Sequence, residues 1–157
     1  MIDRRRMMIA GTALLAFGPG PAGAGVPAGI LDHGNRARAA AGLAPLRASD
    51  RLNRAAQSHA EAMARAGRLS HTLGSSSPVS RARGVGYAYR SLAENIAYRT
   101  SPGRADANAL AQVFVEQWMA SPPHRRNLLN PALTEAGIGV AAAGGLVYAV
   151  QMLATPR

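Results

Sequence analysis

The apolar and polar positions along the chain divide it into helical segments first and strand-like segments last. Pro27 to Ala41 reads as a helix carrying Ile30, Leu31 and a run of alanines, and Gly42 closes it. A short extended link, Leu43-Ala44-Pro45-Leu46, leads to Ser49, which is an N-cap by type. Asp50 follows in the first turn, where the helix dipole favours an anion. Leu52, Ala55, Ala56, His59, Ala60, Met63 and Ala64 then recur at helical spacing on one face, and Gly67 is the C-cap. The small residues on that face predict a close approach of whatever packs against it. Gly74 to Pro78 reads as a loop, Ser80 to Arg83 as one helical turn, and Tyr87 to Tyr98 as a short strand or extended segment. Pro102-Gly103 is a further loop before a second strong helix, Asp106 to Met119, whose expected inner face is Leu110, Val113, Phe114, Gln117 and Trp118. Ser121-Pro122-Pro123 is expected to end that helix, and Asn127 to Asn130 to form a last turn before Pro131.

Beyond Pro131 the period changes from 3.6 to 2. Gly137 to Val140 and Leu146 to Leu153 flank Gly144-Gly145, which predicts a hairpin. In its second arm Leu146, Tyr148, Val150 and Met152 alternate with Val147, Ala149, Gln151 and Leu153. Both sets are mostly apolar, so this strand is expected to be covered on both faces. Helices before and between strands, around a doubly buried sheet, predict an α/β/α sandwich.

The first 24 residues read as an address. Arg4-Arg5-Arg6 is a positive n-region, Met7 to Phe17 is an apolar run too short to span a bilayer, and Gly18-Pro19-Gly20-Pro21 breaks any helix. Ala22-Gly23-Ala24 then offers a small-x-small cleavage site, so residues 1–24 are expected to be a signal peptide and 25–157 a single mature domain. The arginines before the apolar run leave Sec and twin-arginine export both open.

Composition narrows the function classes. The chain has 157 residues, no cysteine, and a net charge of +10 in which every basic residue is arginine. The absence of cysteine excludes a disulfide framework, a thiol nucleophile and any Cys-ligated metal. The mature part keeps fifteen Arg against seven acidic residues, a charge of +8, which favours anionic surroundings. Nucleic acid is the least expected of these, because the arginines form no stripe interleaved with stacking rings and the chain reads as exported.

Four histidines are available: His33, His59, His71 and His124. None has a local metal-ligand spacing, and there is no GxSxG elbow or phosphate loop. His59 lies on an apolar helix face and reads as a core histidine; His33 reads as a surface or capping residue. His71 follows a helix end and opens a Gly/Ser loop, while His124 follows two prolines that stiffen its backbone. Glu94 stands among Leu92, Ala93, Ile96 and Ala97, an unfavourable place for a carboxylate unless it is paired. These three form either a functional cleft or a hydrogen-bonded network bracing the loops.

Five ordered blocks add a resemblance: Leu69-Ser70-His71; Gly86-Tyr87; Glu94-Asn95-Ile96-Ala97; Trp118 to Arg125 with Asn127 to Pro131; and Thr134 to Val140. Together they resemble the CAP superfamily, the SCP-like group of cysteine-rich secretory, antigen 5 and pathogenesis-related proteins, in its shorter bacterial form. The resemblance implies an α+β fold, a three-layer α-β-α sandwich with a C-terminal β-hairpin, secreted from the cell. It also implies a cleft of two His and two acidic groups, in which His71, Glu94 and His124 match three positions. The second glutamate of the eukaryotic relatives comes three residues after the helix Trp, and that position here is Ser121. Glu135 is the nearest substitute and Glu116 a weaker one. A divalent metal such as zinc, held by His71 and His124, is the cofactor the resemblance raises.

The family does not hand over a reaction, and the expected role is a monomeric binding module for a lipid, sterol or anionic envelope component. The alternatives are a metal-assisted hydrolase using the same cleft, with Glu94 or Glu135 as base, and an envelope structural or stress protein. N-terminal sequencing of protein recovered from medium or periplasm is expected to begin at Gly25; an intact Met1 in a cytosolic fraction overturns the export reading.

Overall fold

The computed structural model describes residues 25–101 and 106–157, so the expected signal peptide lies outside the described residues. The elements are α1 (Val26–Ala40), β1 (Arg47–Ala48), α2 (Asp50–Ala66), α3 (Pro78–Gly84), β2 (Tyr89–Thr100), α4 (Ala107–Met119), α5 (Pro122–Leu128), β3 (Glu135–Ala143) and β4 (Leu146–Pro156). The strands form one sheet in the order β1-β3-β4-β2, with β1 parallel to β3 and the other pairs antiparallel.

Strand alternation divides the core in two. Tyr148, Val150, Met152 and Ala154 of β4 pack with Leu52, Ala55, Ala56, Ala60 and Met63 of α2. Val147, Ala149 and Leu153 point the other way, into a cluster built with Ile30 of α1, Leu110, Phe114 and Trp118 of α4, and Leu128 of α5. The result is the expected α-β-α sandwich, with the central strand apolar on both sides because both sides are covered. Gly144 and Gly145 both have positive φ, +59° and +76°, which is the two-residue turn that matches strand twist in a hairpin.

The small-residue face of α2 meets small residues on the sheet. A Cβ placed on Gly137 would lie 2.1 Å from the backbone carbon of Leu52, and one on Gly139 would lie 2.3 Å from that of Ala56. The helix backbone therefore rests directly on β3. Beyond the two-residue β1, α2 also closes the edge of β3: Asn53 Oδ1 accepts from the Ile138 amide at 2.9 Å, and Gln57 Oε1 from the Val140 amide at 2.9 Å. Gln57 Nε2 returns a bond to the Val140 carbonyl at 3.0 Å. Two side chains one helical turn apart thus imitate a neighbouring strand and blunt an edge that would otherwise be open for pairing.

A buried guanidinium ties the opposite layer together. Arg38 of α1 is only 2% exposed and has no carboxylate partner. It donates instead to four carbonyls: Ala44 (2.8 Å), Leu128 (2.9 Å), Asn130 (3.0 Å) and Leu133 (3.2 Å). Three of these lie at and just beyond the C-terminal end of α5, the negative end of its dipole.

The fold departs from the sequence expectation in three places. The inner face of α4 is Leu110, Ala111, Phe114, Val115 and Trp118, and Gln117 is exposed. The helix is rotated because α1 crosses it at Gly29, whose missing side chain leaves room for Ala111; a Cβ there would sit 2.7 Å from the Ala111 methyl. Pro122-Pro123 does not simply terminate α4 but opens α5, since proline is pre-set for the first helical turn. The expected turn at Asn127 to Asn130 is accordingly not separate from that helix: it runs on from its last two residues, the Asn130 amide donating to the Asn127 carbonyl at 3.3 Å. Among the described residues no helix is long and apolar enough to cross a membrane.

Gly139→Ala is expected to cost about 3 kcal/mol or more, because the added methyl meets rigid backbone rather than a movable side chain. Gly84→Ala, at an open site with no neighbour within 4 Å, is expected to leave stability within ~1 kcal/mol. Chemical denaturation of both variants checks the contrast; equal losses overturn the close-approach account.

Candidate functional site

Glu94 sits mid-strand on β2, on the face that carries α2 and α3, with its side chain almost wholly buried. Its two oxygens are each engaged. The Oε2 atom accepts from Arg81 Nη2 at 2.5 Å, and Oε1 accepts from His71 Nδ1 at 2.9 Å. Arg81 is itself buried, on α3, a helix begun by a capping box between Ser77 and Ser80 with Pro78 in the first turn. Its guanidinium also donates to the Ser76 hydroxyl (3.2 Å) and the His71 carbonyl (3.1 Å). Arg81 therefore belongs to the buried group around Glu94 and not to the exposed basic surface.

The loop that carries His71 is pinned from beneath. Ring Nε2 of His59 donates to the Ser70 carbonyl at 2.7 Å, while its Nδ1 is buried without a hydrogen-bond partner. Burial, reinforced by Arg81, holds the His59 pKa below the ordinary imidazole value, so the ring is neutral. The expectation of a core histidine is right about its burial, but the ring braces the loop that carries His71. With its backbone fixed by His59 and Arg81 and its Nδ1 proton on Glu94, His71 turns Nε2 outward; the side chain is 51% exposed.

His124 arrives from the other layer. It is the third residue of α5, and its Nδ1 lies 2.9 Å from the Ser121 hydroxyl. Ser121 occupies the N-cap, where a hydroxyl ordinarily takes the amide of the second or third helical residue. Pro123 removes the first of these donors, and the Ser121 hydroxyl engages the His124 ring instead. Burial, and then the charge of His71, push the His124 pKa down.

The remaining candidates are engaged elsewhere. Glu135 begins β3 and accepts from the Tyr87 hydroxyl at 2.6 Å and from Arg47 at 3.3 Å. Burial and that bond raise the Tyr87 pKa. Glu116 is exposed and accepts from Gln112 on its own helix. His33 joins α1 to α4 through Asn108 at 2.9 Å, a surface role without capping.

This donor set does not fit a resident zinc ion. Zinc takes three or four protein ligands. Here both Glu94 oxygens are spent on His71 and Arg81, and a hydroxyl stands at position 121. Among the described residues no group of three or more His, Asp or Glu is disposed to hold a metal.

The family model for the cysteine-rich secretory protein family matches residues 31–153. The chain belongs to the CAP family. It is 28% identical over 120 residues to the uncharacterized protein YkwD of Bacillus subtilis, covering 74% of this chain and 43% of that protein. An extracellular SCP-domain protein of Bacillus anthracis superposes with a TM-score of 0.67 at 23% identity, over 83% of this chain and 40% of its own. An outer surface protein of Borrelia burgdorferi gives 0.69 at 19% identity, over 82% and 90%. A structure of NaASP2 with Zn2+ gives 0.60 at 13% identity, over 80% and 76%. These structures share the CAP fold, and this chain spans about two fifths of the two Bacillus proteins.

In this CAP domain the Arg81–Glu94 pair is expected to behave as a buried unit. Arg81→Met alone should cost about 3–5 kcal/mol by leaving the carboxylate unpaired, and Arg81→Met with Glu94→Gln should recover much of that loss. Denaturation of the singles and the double checks it; additive losses overturn the pairing.

Proposed function

We propose that this chain is an exported CAP domain that binds an anionic or lipid head group, without a metal, in the cleft between His71 and His124. The observation that carries the reading is the double engagement of Glu94. A carboxylate already paired with Arg81 and hydrogen-bonded to His71 is not free to serve as an open metal ligand or a general base, and it leaves the His71 ring half exposed. Arg125 and Arg126 follow His124 directly and are exposed, so positive charge stands beside the cleft. The Ser121 hydroxyl lies within hydrogen-bond reach of His124, but among the described residues no third group holds the other ring nitrogen, so the pair lacks the orienting partner of a nucleophilic triad. Export is supported by the leader pattern of residues 1–24 and by the extracellular and outer-surface descriptions of the B. anthracis and B. burgdorferi proteins.

A second reading, metal-assisted hydrolysis, is favoured by one feature. Both imidazoles are held through Nδ1, the manner in which a metal-bound histidine is oriented by its outer partner.

Sedimentation with phosphatidylglycerol vesicles is expected to exceed that with phosphatidylcholine vesicles and to fall as salt rises, each arginine near the surface contributing ~1 kcal/mol. His71→Ala with His124→Ala should weaken anionic binding about tenfold, the loss of one to two charge-assisted hydrogen bonds. Equal binding to both vesicles overturns the reading. A stoichiometric zinc isotherm abolished by the double substitution establishes the second one in its place.

A further inference from the structure

The cleft needs His71 and His124 at a fixed spacing, yet they come from opposite layers of the sandwich. We infer that Asn95 is a positioning residue, fixing the α5 backbone at His124 from one face of β2 while its neighbour Glu94 fixes His71 from the other. The inference rests on the cleft reading above.

Consecutive strand residues point to opposite faces. Glu94 is in register with Met152 and faces α2 and α3; Asn95 is in register with Gln151 and faces α4 and α5. Asn95 is fully buried, and three of the four hydrogen bonds its side-chain amide can make are formed. Its Nδ2 donates to the His124 carbonyl (3.1 Å) and to Gln151 Oε1 (3.0 Å), and its Oδ1 accepts from Asn127 Nδ2 (3.0 Å). The orientation of the amide is forced, because the His124 carbonyl can only accept. Asn127 is the sixth residue of α5, so Asn95 grips that helix at two points, half of its length apart. The same Asn127 amide reaches the Glu94 carbonyl on the outer edge of β2 at 3.5 Å.

Stability alone is a poor account of this arrangement. Gln151, placed between apolar side chains, accepts from Asn95 but leaves its own Nε2 buried without a partner. A polar group buried unsatisfied is destabilising, and an apolar residue of the same shape would avoid that cost. What the network supplies is location: one dipeptide, Glu94-Asn95, holds both sides of the cleft, so the register of β2 sets the distance between the two rings.

Histidine-ring NMR on the 13C-labelled full chain tests this, since four histidines give a small set of signals. In Asn95→Ala the His124 ring signal is expected to shift and its titration midpoint to rise toward the ordinary value of about 6.5, while the His71 ring signal stays in place. Asn127→Ala, at a half-buried site, should move the same His124 signal less, and it decides the matter if Asn95→Ala does not fold. Val150→Ala is the control for lost packing and should lower the melting temperature without moving His124. If Asn95→Ala and Asn127→Ala both lower stability with His124 unmoved, Asn95 is a packing residue and the inference fails. It fails equally if His71 and His124 move together. A selective His124 shift with undiminished binding to phosphatidylglycerol vesicles supports the positioning role and overturns the head-group reading instead.

Discussion

The contact on which the rest of this structure depends is that of the α2 backbone with Gly137 and Gly139. Two missing side chains, two residues apart on one face of β3, lower the helix to where Asn53 and Gln57 reach the strand edge. From that height α2 aims His59 at the Ser70 carbonyl, and so sets the loop that carries His71. A methyl group on β3 would lift the helix, and every later distance would lengthen. The glycines of Thr134 to Val140 are therefore best understood as spacers for the site-bearing layer, although they lie a sheet's width from the site.

Two guanidiniums are buried among the described residues, and they are handled differently. Arg38 has no carboxylate; it spreads its charge over four carbonyl dipoles, and burial lowers its pKa. Arg81 faces Glu94 and leaves its Nε without a partner. The first arrangement closes the end of a helix and the turn after it. The second neutralises a carboxylate that would otherwise be the natural metal ligand or base of the cleft. With only eight acidic residues against eighteen arginines, most arginines have no partner to find and stay in water. The acid spent on Arg81 is thus a specific commitment.

The sandwich was legible because its elements are strongly periodic. The α2 face runs without interruption from Leu52 to Met63, the paired glycines fix the hairpin, and the double apolar set on β4 requires two covering layers. His71, Glu94 and His124 were singled out by ordered motif blocks and by the improbability of a lone carboxylate among apolar neighbours, and the structure pairs Glu94 with His71. Arg81 and His59 were not, for a physical reason. Their roles depend on which buried group they reach across 13 and 11 residues of chain, and a local pattern carries no such information. The rotation of α4 escaped for a similar reason: Val113 and Ala111 are both acceptable inward residues, and only the crossing at Gly29 decides between them. Glu135 was a reasonable substitute by motif, but the parallel pairing of β1 with β3 places it beside Arg47, where it takes Tyr87 as well.

The position of His124 shows how a short helix can hold a functional group at all. A seven-residue helix cannot stabilise itself in water, since nucleation is unfavourable and few internal bonds form. α5 stands because others satisfy its carbonyls and bury its single core residue. Asn95 takes the carbonyl of His124 near its start, Arg38 takes that of Leu128 at its end, and Leu128 packs in the cluster with Trp118. Pro122 and Pro123 lower the entropy lost on ordering the first turn, and by withholding an amide they free Ser121 to hold the imidazole. Two of these supports are buried side chains that reach α5 carbonyls, and Leu128 seats the helix in the core. α5 is therefore tied to the sheet and to α1, although the segment that carries His124 looks in sequence like a loop.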